Sequence, residues 1–322
     1  MTMKSTERIS LGLVLIALGM MLAVNAWLRP KAAPAAAGLV LARRDGYAMY
    51  AGEAPPAGRP QTFGINQLYQ GLLLYVGEKD PLPQPMPAQQ ARDVRSMVGL
   101  YIPAAEHVSL SEETIYALCR LVEENPLVQT WIMTGMRSPA EQTALQTKAF
   151  TEYQATMSVE QALRRAAADI PDSGKSEHQL ATAFDVRLEG PQDWSKTDAM
   201  ARTADGRWLL ENAWRYGFIR RYPPEKAQIT GVGNESAHWR YVGSAHAACM
   251  HTADWCLEEY LQALHDYGTL RLVFPEGESL WVLCAPIQEN SISFAIPEHW
   301  TAAVSADNMG YAVCVLSKGD ED

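Results

Sequence analysis

Ser176-Glu177-His178-Gln179-Leu180-Ala181-Thr182-Ala183-Phe184-Asp185 is the stretch on which the reading of this chain turns. On a continuous α-helix, His178 and Asp185 would lie about 10.5 Å apart along the axis, too far to grip one ion. On a straight strand their odd separation would place them on opposite faces. If the two act together, the chain must bend between them, around Ala181-Thr182. A second stretch, Glu235-Ser236-Ala237-His238-Trp239, sets another histidine near a carboxylate. His178, Asp185 and His238 are the nitrogen and carboxylate donors that a catalytic zinc takes in threes, with a fourth position left for water. Such chemistry needs a base for the proton of the attacking water. Glu235, expected in a loop just ahead of a strand, can serve. Glu177 adjoins His178, but its side chain should diverge from the imidazole.

The remaining metal-competent residues offer less. His246, Cys249, His251 and Cys256 form a cluster whose spacing fits no familiar zinc pattern, and His107, His265 and His299 read as ordinary. Cys119 completes a set of five cysteines without a CxxC pair, which read as mostly buried apolar residues. A Cys284–Cys314 disulfide is conceivable in an oxidising compartment. Trp208, Trp214 and Trp239 read as core rather than as a sugar-stacking platform.

Around these stretches the pattern predicts short alternating elements. Leu72–Val76, Val128–Met133, Ala183–Leu188 and Trp239–Val242 are expected as strands, and Gly206–Tyr216 as a helix. Ser111 should cap a helix running to Glu124, with Ile115, Leu118 and Val122 on one face. A further helix should begin at Ser138, with Pro139 at its first position and Glu141 in its first turn. A last amphipathic helix is expected from Asp254 to Tyr267. Beyond Gly268, apolar runs at Leu270–Phe274, Leu280–Ala285, Ser291–Ile296 and Tyr311–Leu316 predict a small β-rich appendage.

From Ile9 to Leu28 the chain carries no charge, with Lys4 and Arg8 before and Arg29 and Lys31 after. About 20 apolar residues suffice to span a bilayer, so this segment reads as an uncleaved anchor. Val24-Asn25-Ala26 leaves a cleaved signal peptide as the alternative. An Ala/Pro linker follows, and Gly38–Gly71 reads as a membrane-proximal spacer. The expected organisation is therefore residues 1–29 cytoplasmic stub and anchor, 30–70 linker and spacer, 71–250 catalytic domain, and 251–322 helix plus β appendage. A net charge of −10 without any basic cluster argues against a nucleic-acid partner.

The pattern S-x-H-x-x-x-x-A-x-D followed by E-x-x-H resembles the VanY-like D-alanyl-D-alanine carboxypeptidases, LAS-type zinc peptidases. The similarity runs from about Gly71 to Gly243. It takes in Lys79-Asp80-Pro81-Leu82-Pro83, Thr134-Gly135-Met136-Arg137-Ser138 with Glu141-Gln142, Tyr216–Pro223, Ile229-Thr230-Gly231 and His238–Gly243. The resemblance implies an α+β fold, a small antiparallel sheet flanked by helices. It implies zinc held by His178, Asp185 and His238, with Glu235 as general base and then acid. Arg137 would stabilise the oxyanion or clamp the substrate carboxylate, while Ser176 and Gln142 position the terminal residue. The implied substrate is a peptidoglycan stem peptide ending in D-alanine, cut by a monomeric, extracytoplasmic enzyme of the bacterial membrane. An L,D-carboxypeptidase or D,D-dipeptidase could use the same site, and a catalytically silent wall-binding domain is the reading of another class. Two positions depart from the family: Ala181 stands where glycine is usual, and Ala237 where tryptophan is. Ala181 would be strained if the bend needs positive φ.

Overall fold

The computed structural model describes residues 38–83, 90–127, 130–188, 200–233 and 235–319. Its strands, in chain order, are β1 Leu39–Arg44, β2 Tyr47–Ala51, β3 Arg59–Gly64, β4 Ala91–Asp93, β5 Ser109–Ser111, β6 Thr130–Thr134 and β7 Ala183–Leu188. They continue with β8 Phe218–Tyr222, β9 Glu235–Tyr241, β10 Thr269–Val273, β11 Ser279–Pro286, β12 Ser291–Ile296, β13 Trp300–Ala306 and β14 Tyr311–Lys318. The fold is α+β and its sheets pair antiparallel, as expected.

The central sheet has the order β6-β7-β9-β8. Alternation along β7 and β9 sends Phe184, Val186, Leu188, Trp239 and Tyr241 to one face, where they join the buried Ile115, Leu118, Leu121 and Val122 of the helix Glu112–Glu124. Each such side chain contributes about 1.5–3 kcal/mol by leaving water. The polar residues between them, Asp185 and His238, occupy the opposite face. Ser111 caps this helix by accepting from the Thr114 amide, and Ser138 and Glu141 form a reciprocal capping box at the helix Pro139–Gln154.

The second sheet runs β1-β2-β10-β11-β14-β13. The helices Ser244–Ala253 and Leu257–Tyr267 cover one of its faces through Met250, Leu257, Tyr260, Leu261 and Leu264. The β3–β12 ribbon belongs to a separate cluster with Cys314 and Leu316. Residues 39–64, expected as a spacer, thus supply three strands to the C-terminal β region, with β2 pairing β10 and β3 pairing β12. Their partners lie some two hundred residues away, and local pattern carries no such information.

Other differences have local causes. Leu72–Val76 is buried but forms no strand: the Leu73 amide donates to Ser305 Oγ, and the carbonyls of Leu72 and Leu74 accept from Arg240. Side chains satisfy what a ladder would have. Cys284 and Cys314 sit one step out of register on β11 and β14, Cys284 opposite Val313, so they project from opposite faces and stay free. Glu235 opens β9 rather than preceding it. The anchor segment Ile9–Leu28 lies outside the described residues, and among those described no helix is long and apolar enough to cross a membrane.

Candidate metal centre

Register builds the site. Asp185 on β7 stands directly opposite His238 on β9, so both side chains rise from the same face. A bulge between Ile132 and Thr134 on β6 brings Thr134 opposite Asp185 as well. Without that extra residue, Thr134 would fall on the apolar side. Thr134 Oγ1 donates to Asp185 Oδ2 at 2.6 Å.

His178 arrives by a different route. Glu177–Leu180 forms one turn of 3-10 helix, and Ala181 ends it at φ 59°, ψ 12°, in the left-handed region. The chain bends where the spacing of His178 and Asp185 required, and Ala181 accepts the strain that glycine would avoid, about 1–2 kcal/mol. The bend is clamped from outside: His178 Nδ1 donates to the Gly135 carbonyl at 2.7 Å, and the His178 carbonyl accepts from the Arg137 amide at 2.9 Å. Gly135 is required there, since a Cβ would stand 2.4 Å from the Ser109 carbonyl oxygen.

One ligand atom each from His178, Asp185 and His238 lies within 4.8 Å of the others. His178 Nε2 is 3.2 Å from Asp185 Oδ2, and His238 Nδ1 is 2.9 Å from Asp185 Oδ1. Donors around a zinc bound at about 2.1 Å sit about 3.4 Å apart, so the cluster has the right size. The tautomers also fit. Gly135 fixes the proton of His178 on Nδ1, and Glu177, 3.2 Å from His238 Nε2, would keep a proton there once a metal displaces the one His238 Nδ1 shares with Asp185. Each imidazole thereby turns its other nitrogen inward, as metal-bound histidines do. The residues present fit a tetrahedral ion with one open position.

Electrostatics follow the same design. Burial opposes charge on Asp185, yet the imidazoles of His178 and His238 set against its oxygens hold its carboxyl far below the usual range. Burial lowers His178, whereas in His238 the hydrogen bonds to Asp185 and Glu177 overcome burial and raise its pKa to about 9. Glu177 is buried behind the site. Desolvation works against its charge, but Arg221 and Arg240 hold it well below the carboxylate range. It braces His238, and both its oxygens are taken by Arg221, Arg240 and His238 rather than left for an attacking water.

A cleft of about 330 Å³ opens on the cluster, lined among others by Arg137, Lys175, Ser176, Tyr222, Glu235 and Ala237. Glu235 remains exposed as a residue. Desolvation by the cleft wall, aided by the charges of Asp185 and Glu177, raises its pKa against the pull of His238 and Arg137. Arg137 is held by Gln142 Oε1 and Asp185 Oδ2, each at 3.3 Å. Gln142, expected to position the substrate's terminal residue, is fully buried and anchors Arg137 and the Pro171 carbonyl instead. Tyr222, whose ring stacks on His238 at 5.3 Å, drew no site role from the sequence. Thr134, Arg221 and Arg240 also went unassigned. The second cluster does not converge: His246 bonds Tyr260, while His251 bonds Asp45 and stacks on Trp214. Among the described residues, His178, Asp185 and His238 are the one group able to hold a metal.

The family model for VanY, D-alanyl-D-alanine carboxypeptidase, fits residues 109–244. Residues 109–244 are a VanY-family domain. A D-alanyl-D-alanine carboxypeptidase of Enterococcus faecium is 28% identical over 265 residues, covering 80% of this chain and 79% of the relative. Another from Enterococcus faecalis is 39% identical over 131 residues, 40% of this chain and 46% of that protein. The solved vancomycin-resistance D,D-dipeptidase VanXYg, bound to a D-Ala-D-Ala phosphinate analogue, superposes with a TM-score of 0.62 at 23% identity. That superposition covers 80% of this chain and 98% of VanXYg, so the likeness of fold extends beyond residues 109–244.

Proposed function

We propose that this chain is a zinc-dependent D,D-carboxypeptidase that removes the C-terminal D-alanine from peptidoglycan stem peptides. One observation carries the reading: His178, Asp185 and His238 converge on one point of a cleft that Glu235 and Arg137 also line. Zinc held by the three ligands would supply a Lewis acid for the scissile carbonyl and lower the pKa of the attacking water. Glu235 takes the proton of that water and delivers it to the departing D-alanine amine. Its raised pKa suits both transfers. Arg137, fixed by Gln142 and Asp185, faces the carbonyl oxygen as negative charge develops there, or holds the substrate carboxylate in the fork of its guanidinium. Ser176 and Lys175 line the same cleft and orient the peptide end. Ala237 leaves room beside the cluster, which favours altered substrate fit over lost chemistry.

The uncharged run Ile9–Leu28 supports a single-pass anchor with residues 38–319 outside the cytoplasm, where this substrate is found. The test is direct. Full-length protein loaded with zinc is incubated with defined tetrapeptides and pentapeptides, and D-alanine release is followed by mass spectrometry, with Glu235→Ala as control. Cleavage of the pentapeptide alone is expected. Cleavage of the tetrapeptide alone moves the reading to L,D-carboxypeptidase, and bound zinc with no turnover makes the domain a binding module.

A further inference from the structure

Glu177 divides its two carboxylate oxygens between different tasks. Oε2 takes His238 Nε2, while Oε1 accepts from Arg221 Nε at 2.8 Å and Arg240 Nη1 at 2.6 Å. Arg240 is itself fixed by the carbonyls of Leu72 and Leu74. Arg221 is fixed from elsewhere: its Nη1 and Nη2 donate to Glu258 Oε2 and Oε1 at 3.0 and 2.7 Å. Glu258 lies on the helix Leu257–Tyr267, past residue 244 where the VanY-family match ends.

We propose that Glu258 is a positioning residue for the metal centre, acting through Arg221 and Glu177 on His238. The guanidinium is a rigid planar fork, so clamping its η edge also fixes the direction of its ε edge, and with it Glu177 Oε1. Arg221 is 1% exposed, so its η nitrogens need acceptors from the protein. When Glu258 is lost, the guanidinium must turn to find them, and the carboxylate that aims His238 turns with it. Charge acts in the same sense. Glu177 and Glu258 balance Arg221 and Arg240, and neutralising Glu258 leaves a net positive charge behind a site for a dication. A stacked path runs parallel: the Arg221 guanidinium lies 4.6 Å from the Tyr222 ring centroid, and Tyr222 stacks on His238. The C-terminal region thereby becomes part of what sets metal affinity.

This inference rests on the metal reading above, and the experiment separates the two. Zinc affinity of the full-length chain is measured by chelator competition, alongside thermal melting, for the wild type, Glu258→Gln, Glu258→Asp and Glu259→Gln. Glu259 is the control. It sits on the same helix, pairs with Lys226 and caps the Cys256 amide, so its loss lowers the melting temperature without reaching Glu177. Glu258→Gln is expected to weaken zinc about tenfold, and Glu258→Asp, which keeps the charge but shortens the reach, about threefold. Glu259→Gln should leave the zinc Kd at the wild-type value. A Glu258→Gln Kd within about twofold of wild type, or an equal loss in Glu259→Gln, overturns the proposal. Should Glu258→Gln not fold, Glu258→Asp decides: weaker zinc supports the relay and unchanged zinc refutes it. A wild type that takes up no zinc overturns the metal reading and the relay with it, whereas tight wild-type binding with an unmoved Glu258 variant sinks the relay alone.

Discussion

Thr134→Val tests the bulge-built side of the site. Valine keeps the shape and the strand preference of threonine and removes only the hydroxyl that donates to Asp185 Oδ2 at 2.6 Å. A hydrogen bond to a charged acceptor contributes about 1.5–3 kcal/mol net. Asp185 keeps His238 and Arg137 as partners, so the loss should fall at the lower end, about 1.5 kcal/mol. If the same bond holds the carboxylate in its ligating rotamer, that energy corresponds to about a tenfold weaker zinc Kd, since 1.4 kcal/mol is a factor of ten. Mutations of residues that orient metal ligands typically cost about 10–100-fold, so two separate arguments meet at one value. Chelator competition reads the affinity, and denaturant unfolding reads the stability. A Thr134→Val protein with both quantities unchanged would show that the threonine is a bystander and that the β6 bulge has no part in the site.

Three other substitutions probe the remaining parts. Glu235→Gln should lower kcat by about 10²–10⁴ while zinc stays bound, with metal content and turnover measured on the same sample. Because desolvation raises the Glu235 pKa, the neutral acid is favoured as pH falls. In the metal-free protein Glu235 should therefore titrate above the ordinary glutamate value of 4.5 by carboxylate NMR, and the acid limb of the zinc enzyme's kcat/KM profile should vanish in Glu235→Gln. Arg137→Lys keeps the charge but loses the planar fork held by Gln142 and Asp185. It should cost about 10²–10³ in kcat with little change in zinc content, and full activity would exclude Arg137 from charge stabilisation. Gly135→Ala drives a Cβ into the Ser109 carbonyl and should destabilise the fold by about 1–3 kcal/mol while weakening zinc, because Gly135 holds the His178 proton; an unaltered melting curve would contradict the clamp.

What the sequence revealed follows from what is local. Ser111 and Ser138 announce helix starts through atoms three residues away. The seven-residue gap from His178 to Asp185 demands a bend that Ala181 makes at φ 59°. The ligands stood out because each histidine has a carboxylate nearby in sequence. Arg221, Arg240 and Glu177 gave no such signal, since charged residues are ordinarily solvated and their near-complete burial exists only once the central sheet, the Leu72–Leu74 segment and the helix Leu257–Tyr267 close around them. Thr134 depends on a single bulged residue, which no periodicity foretells. The strand Trp300–Ala306 is rich in alanine and serine, residues with little preference for extended structure, and it forms because β14 offers it a partner.

The pairing of Ala51 with Leu270 and of Phe63 with Ile292 has a consequence for how the molecule comes to be. Both contacts close loops of more than two hundred residues, and the intervening segment includes the entire VanY-family domain. Such long closures are costly in chain entropy and slow to find. Until β10 to β14 have left the ribosome, β2 and β3 have unpaired edges and Glu258 has not yet reached Arg221. The nascent chain therefore carries all three zinc ligands before β2 and β3 have met their partners and before Glu258 can clamp Arg221.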